Sequence, residues 1–312
     1  MKNNYPFLCL CVILMLNCTC SQPDITPAFL VLSVEDFKDC IDVSDYNRVH
    51  ETNYDQKELA TIKQQNFTDV LVSLNGKELG YWSLPCRIPL LPNYNDRNNI
   101  RIIPCVRTPN TVITTIQYHF ITPIDQFFEM EREKEYRFPD LKLEYVPSVD
   151  FLVLETFTQS TDFSPRDKNE FPAAMEIIYD EDLKQDIGRI LLSDSSSVFF
   201  DVVTPYMPLQ GEGKRYFWEF SYKIINGRIT THLSFENTIS GIINQDLMLF
   251  SSTQGGWRKA YIDITEWIMQ ASNVASQVST RLRITGTRTN ASIDSYYCFE
   301  NIKLISMDAP YY

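Results

Sequence analysis

Histidine, glycine and basic residues are all scarce in this chain. Its 312 residues include 3 His, 10 Gly and 28 Lys plus Arg, against 40 Asp plus Glu. The resulting formal charge of -12 excludes a general nucleic-acid partner, because a polyphosphate backbone selects a basic surface. So few glycines leave little for a phosphate-cradling loop, and no Gly-x-Ser-x-Gly elbow presents a nucleophilic serine. With few histidines and no Cys-x-x-Cys pair, no zinc set is assembled. No cofactor and no metal are therefore expected. Beyond the first twenty or so residues, no apolar run approaches the length that crosses a bilayer. Apolar residues still make up 44% of the chain, enough to fill real cores and to exclude a disordered polymer.

The N-terminus is the most legible segment. Lys2 supplies a positive start, and Phe7 to Leu16 is an uninterrupted apolar run. As a helix this run reaches about 15 Å, half of a roughly 30 Å hydrocarbon core. It reads as an export signal that is removed, over residues 1–20. Cys18 and Cys20 stand where the run stops, and the polar Ser21-Gln22-Pro23-Asp24 follows. This arrangement resembles a bacterial lipoprotein signal, in which the first mature residue is an acylated Cys; ordinary secretion is the alternative. The lipid anchor is one of the two, Cys20 with the smaller preceding neighbour or Cys18 with the better apolar residue upstream. An anchor of several acyl chains holds stably, since each buried CH₂ contributes about 0.8 kcal/mol. The expected address is the cell envelope, lipid-anchored at the outer membrane.

With Cys20 as anchor, Cys40, Cys86, Cys105 and Cys298 remain. An exported chain can keep disulfides, and four cysteines allow three pairings. Cys86 and Cys105 each follow a proline at the end of an apolar segment, which makes them candidates to meet. Free buried thiols are the other reading.

Two β-rich halves follow, residues 21–147 and 148–312. In the first, Phe29 to Val34 opens as a strand, and Asp69 to Leu74 puts Val70, Val72 and Leu74 on one face. Asn75-Gly76 suits a tight hairpin turn into Lys77 to Trp82. Strands are expected at 99–103, 111–120 and 127–132, with a charged excursion over 39–65 that holds a helical turn at 56–63. In the second half, Tyr216, Trp218, Phe220 and Tyr222 alternate with Glu219, Ser221 and Lys223, although Phe217 breaks the polarity. Asn226-Gly227 turns the chain, Leu282 and Ile284 point inward, and Thr265 caps a short helix. The fold class is all-β: two antiparallel β-sandwich domains, the second a jelly roll.

The segments Pro27 to Leu32, Asp69 to Gly80, Leu84 to Leu91 and Ile103-Pro-Cys-Val106 resemble a group of uncharacterised Bacteroidota surface lipoproteins. The first half of that group is similar to PEGA-type or carboxypeptidase-regulatory-like sandwiches. Its second half resembles carbohydrate-binding-module-like (galactose-binding-like) jelly rolls, through Trp218 to Lys223, Trp257 to Ile264 and Glu300 to Leu304. The chain departs from the group at Cys105, where a glycine is expected, and at Glu300, where a closing aspartate is usual. The resemblance implies a fold and supplies no activity.

The chemistry left to the residues is modest. The acidic runs Glu131/Glu133/Glu135 and Asp180-Glu181-Asp182 read as solvated loops, and His119 and His232 fall within expected strands as hydrogen-bonded structural groups. No catalytic residue is assigned, and the protein is expected not to be an enzyme. Binding is the better expectation, because aromatic faces stack on sugar rings while neighbouring polar groups fix orientation. If Ile262 and Ile264 face inward, Tyr261 and Asp263 point outward together. With Trp257 they form the candidate ligand-binding set. Two functions result: a non-catalytic envelope lipoprotein that binds a glycan or an envelope partner, or a structural subunit of an envelope complex. A glycan reader should expose clustered aromatics, and an assembly subunit an apolar patch or an open edge strand.

Overall fold

The computed structural model describes residues 26–309, apart from 39, 95, 109–113, 139–140, 194–197, 238–240 and 273–276. The apolar signal run and both candidate anchors, Cys18 and Cys20, lie outside the described residues. Among the described residues, no helix is long and apolar enough to cross a membrane.

In chain order the first body holds β1 (Ala28–Leu32), α1 (Tyr46–Val49), α2 (Gln56–Lys63), β2 (Asp69–Leu74) and β3 (Lys77–Ser83). Then come β4 (Cys86–Leu90), β5 (Arg97–Thr108), β6 (Thr114–Gln117), β7 (Ile124–Glu129) and β8 (Glu135–Tyr136). One sheet has the order β4-β1-β8 and the facing sheet runs β3-β2-β5-β6, with β7 also on β5. All pairings are antiparallel except the two-residue contact of β1 with β8, which is parallel. The alternation seen in the sequence does its work here. Val70 and Val72 bury completely against Ile100 and Ile102, and Asn75 and Gly76 take positive φ angles of 53° and 77° at the hairpin. The helical turn expected at 56–63 is α2, started by a capping box in which Asp55 and Glu58 satisfy each other's backbone amides.

The second body holds β9 (Asp150–Glu155), β10 (Ser164–Pro165), β11 (Glu176–Asp180), β12 (Gln185–Leu192), β13 (Phe199–Val203) and β14 (Met207–Gln210). It continues with β15 (Lys214–Ile225), β16 (Gly227–Asn237), β17 (Gly241–Ser251), β18 (Arg258–Asp263), α3 (Thr265–Ser272), β19 (Gln277–Arg288) and β20 (Ser295–Asp308). Two six-stranded antiparallel sheets face each other as a jelly-roll sandwich. The front sheet runs β11-β12-β20-β15-β18 with β9 also on β20; the back sheet runs β10-β13-β19-β16-β17 with β14 on β19. Between them Trp218, Phe220, Leu233, Leu282, Ile284 and Phe299 are fully buried.

Two details differ from the sequence expectations, and two others settle what the sequence left open. Of the expected strand 111–120, residues 111–113 lie outside the described residues and Thr114–Gln117 form β6. The chain then turns as the Tyr118 amide donates to the Pro104 carbonyl at 2.9 Å, so His119 sits in a turn. At Asn226-Gly227 only Asn226 takes positive φ (56°); Gly227 belongs to β16, where a Cβ would collide with the Tyr297 ring. Cys86, Cys105 and Cys298 are free thiols, the second of the two readings the sequence left open. Cys86 and Cys105 stand on β4 and β5, in different sheets of the first sandwich, and do not pair; burial pushes the Cys105 thiol up to about 12.

The second difference explains Phe217. The outer face of the front sheet is not solvated, because the first body packs on it. Phe217, Tyr261, Ile305 and Met307 join the first body's core, with Phe217 at 5.1 Å from Phe120 between ring centroids. The front sheet thus lies between the back sheet and the first body, which is why β20 is buried nearly throughout.

Candidate functional site

Strand β18 distributes the three expected ligand residues to different places. Tyr261 does point away from Ile262, but the face it points to is covered by the first body, leaving it 3% exposed. Its hydroxyl accepts from the Asn66 amide at 2.8 Å and donates to Gln65 Oε1 at 3.1 Å. The expected exposure of Tyr261 is therefore corrected: a second domain, invisible to strand alternation, covers that face. Asp263 is exposed, and its Oδ1 accepts from the Thr265 amide at 2.9 Å, holding the start of α3. Trp257 precedes the other end of β18, about 20 Å away at the usual rise per residue. It is half-buried, and the Lys223 ammonium lies 5.9 Å from its ring centre. The three do not converge.

What surrounds Tyr261 is a buried polar junction. Glu219 is fully buried; its Oε1 accepts from the Tyr118 hydroxyl at 2.5 Å and its Oε2 from Gln65 Nε2 at 3.1 Å. Lys303, also fully buried, places Nζ 3.6 Å from Glu219 Oε2. The same ammonium donates to the carbonyls of Thr61 (3.2 Å) and Gln64 (2.9 Å), where α2 ends. A cation at a helix C-terminus meets carbonyls without intrahelical partners. Burial, with Lys259 next, pulls Lys303 down to about 7 against the attraction of Glu219 and Glu300. Burial also raises Tyr118, Tyr145 and Tyr261 well above the usual tyrosine range, with the Glu219 charge adding to it. These groups are saturated by one another and form a clamp between domains.

The back sheet turns the opposite kind of face outward. Ile229, Leu233, Leu282 and Ile284 point into the core, so their neighbours on β16 and β19 point out. Cross-strand register sets these neighbours in rows: Arg281, Ser234 and Asn244; then Arg283, His232 and Asp246; then Asp201, Thr285 and Thr230. Asp201 is fully buried despite facing outward. Arg283 grips it with both arms of the guanidinium, Nε at 2.8 Å and Nη2 at 2.9 Å, and Arg166 closes over it. His232 is held by Asp246 Oδ1 at 2.7 Å and Thr285 Oγ1 at 2.8 Å. Burial lowers its pKa, with the Arg283 charge acting the same way. As expected of a hydrogen-bonded strand histidine, it has both ring nitrogens occupied.

One pair on this face is not saturated. The Arg281 guanidinium lies 4.6 Å from the centre of the Tyr206 ring. Arg281 Nε and the Tyr206 hydroxyl are both buried atoms without a protein hydrogen-bond partner. Such atoms carry the desolvation cost of a missing bond unless something outside the chain supplies it. An aromatic ring, an arginine and a row of hydroxyl and amide groups side by side can bind a polar, ring-shaped ligand. The signal was present in the sequence: in a chain short of basic residues, Arg281 and Arg283 alternate with Leu282 and Ile284.

Other surfaces are less suited to chemistry. A cavity of about 200 Å³ gathers His50, Ser44, Asp42, Asp45 and Glu144. There Ser44 directs its side chain to Asp42, Arg48 takes Asp45, and His50 stacks on Tyr46 at 4.0 Å. The serine's partner is thus a carboxylate and not the histidine that nucleophilic catalysis requires. The exposed aromatics Tyr81, Phe127 and Tyr179 lie on three separate strands and form no cluster. Strand β17 is an open edge of the back sheet, and Ile242, Ile243 and Leu249 on it are 55%, 43% and 55% exposed.

No protein-family model matches the chain, and no curated protein matches it. Among solved structures, the xylan-binding CBM22-1 domain of Xyn10C from Paenibacillus barcinonensis is similar at 8% identity and a TM-score of 0.38. That comparison covers 52% of this chain and 98% of that one. The CBM22-1–GH10 modules of Clostridium thermocellum xylanase Xyn10B give 13% identity and a TM-score of 0.37, over 52% of this chain and 29% of that one. A carbohydrate-binding module specific for non-crystalline cellulose, CBM28, gives 8% and 0.33, over 50% of this chain and 94% of that one.

Proposed function

We propose that the chain is a non-catalytic binding module of the bacterial cell envelope that recognises a glycan on the outer face of its back sheet. The observation that carries this reading is the Tyr206–Arg281 pair, whose buried polar atoms lack a partner within the chain. Around it, Ser234, Asn244, Thr230 and Asp246 offer donors and acceptors in the rows a strand ladder sets about 4.8 Å apart. Sugar hydroxyls, which both donate and accept, match that mixture. Lipid anchoring through Cys20 or Cys18, as in the Bacteroidota lipoproteins the sequence resembles, is part of the proposal. It is supported by the apolar run that ends just before them. Mass spectrometry of the native protein tests the anchor: acylation on one of these cysteines is expected, and a mature chain without fatty acid overturns it. Affinity electrophoresis against a panel of soluble polysaccharides tests the site, with retardation expected for the intact protein and lost in Arg281→Ala.

A second reading is favoured by β17. Its open edge carries one charged residue, Asp246, and the exposed Ile242, Ile243 and Leu249. Sheet edges of that kind accept a partner's strand, so an envelope protein could add to the back sheet there. Crosslinking from β17 in intact cells should capture one reproducible partner under this reading, and none if the edge is idle.

A further inference from the structure

The junction between the two bodies holds a partly open cavity of about 170 Å³ with polar and apolar lining, room for roughly five or six waters at about 30 Å³ each and close to the size of one hexose ring. Helix α2 of the first body supplies Lys57, and its C-cap supplies Gln64; β12 supplies Gln185 and Asp186; β20 supplies Glu300 and Asn301. The side chains are already oriented. Glu300 Oε1 accepts from Gln185 Nε2 at 2.7 Å, and Asp186 Oδ2 meets the Lys57 ammonium at 3.3 Å. The Asn301 and Gln64 amides lie 2.8 Å apart.

The backbone around this cavity is also unusual. Asn301 and Phe157, neither of them glycine, both line it and both hold left-handed φ angles of 54° and 53°. Asn301 sits where the pairing of β15 with β20 slips register, between Glu219 and Ser221. A bulge in a central strand re-aims the side chains beside it, here Glu300 and Asn301. Left-handed non-glycine residues persist where surrounding structure forces them, and they concentrate at ligand sites. Two such residues meet at this one cavity, Phe157 just after β9 and Asn301 on β20, the strand with which β9 pairs.

The lining decides the class of occupant. Lysine and aspartate neutralise each other, and no group of three metal-binding side chains occurs among the described residues, so a bare metal ion is poorly served. Carboxylate, amides and the threonines 61 and 156 offer donors and acceptors in mixture. A carboxylate has about four acceptor sites, of which Gln185 uses one on Glu300. We propose that this junction is a second site, separate from the back-sheet face, that binds a single sugar ring or a polyol of that size.

The test uses the full mature chain and free glucose, galactose, mannose, xylose and N-acetylglucosamine, by calorimetric titration and amide hydrogen exchange. One of these sugars should saturate the protein in the millimolar range and slow exchange at Thr61–Gln64, Gln185 and Glu300–Asn301. Glu300→Gln and, as a milder second variant, Gln185→Ala should each weaken it at least tenfold while melting cooperatively. If none of the five binds, or if exchange slows at Ser234 and Arg281–Arg283 instead, the junction site is overturned. Polysaccharide retardation by the open face is read separately, so either site can fail without the other.

Discussion

Glu219 and Asp201 are two fully buried carboxylates on opposite outer faces of one sandwich, and they are satisfied in opposite ways. Glu219 depends on another domain: Tyr118 and Gln65 come from the first body, and Lys303 ties it to the end of α2. Asp201 depends on its own domain, gripped by Arg283 on the neighbouring strand and by Arg166. The side chain of Lys303 is fully buried, whereas those of Arg166 and Arg283 are 36% and 14% exposed. The first arrangement closes a face of the sheet. The second neutralises a charge while leaving its face open, and on that face the Tyr206 hydroxyl and Arg281 Nε remain unpartnered. The difference teaches which surface is available for recognition.

The largest expected effect breaks the closed side. Glu219→Ala leaves the Lys303 ammonium buried without its counter-charge, a change that costs about 3–5 kcal/mol. Calorimetry should show a lowered and broadened or split transition as the two bodies uncouple; an unchanged single transition would refute the clamp. Asp201→Ala should cost less, about 1–3 kcal/mol, because both arginines can turn to water. Its loss should leave the junction intact, read as unchanged exchange at Tyr118 and Tyr261.

Smaller changes sharpen the contrast. Gly227→Ala forces a methyl into the Tyr297 ring and should cost about 1–3 kcal/mol through overpacking. Tyr261→Phe removes the hydroxyl that joins Asn66 to Gln65, for about 1–2 kcal/mol. The clamp also predicts a pH dependence. Because Lys303 is pulled down to about 7 when folded, the unfolded chain binds more protons than the folded one from about pH 7 up to its ordinary value. The contribution of Lys303 to stability should therefore rise with pH from 7 toward 10. Lys259, also held low by burial, adds to it, and the buried Cys105 and Cys298 thiols, held protonated in the fold, oppose it above about 9. Above 10 the buried tyrosines, held protonated in the fold, reverse the trend. Lys303→Met should flatten the rise, and a rise that persists in that variant would assign it elsewhere. Arg281→Ala should move stability least, within about 0.5 kcal/mol.

Much of the sandwich architecture was legible from local pattern. Val70/Val72/Leu74, Tyr216 to Tyr222 and Leu282/Ile284 reported their faces correctly because period-two alternation is a local property. The domain-facing role of Phe217, Glu219 and Tyr261 was not legible, since a strand does not record what covers its outer face. The anomaly of Phe217 was nevertheless its trace: an apolar residue among polar neighbours on the outward side marked a face with two environments. Short strands such as β10 and β14 escaped because they are defined by pairing with β13 and β19, not by their own composition. The candidate face was missed for a related reason. Aromatics drew the sequence reading to Trp257 and Tyr261, while the open surface is built mostly from arginine, hydroxyl and amide groups whose proximity only cross-strand register creates.

The most direct test is affinity electrophoresis of the intact protein through gels holding each of a panel of envelope and plant polysaccharides, beside Arg281→Ala. The account predicts that at least one polysaccharide slows the native protein and that the variant runs freely while melting at the same temperature. Equal mobility of the two proteins in every gel would contradict the assignment of the back-sheet face as the recognition surface.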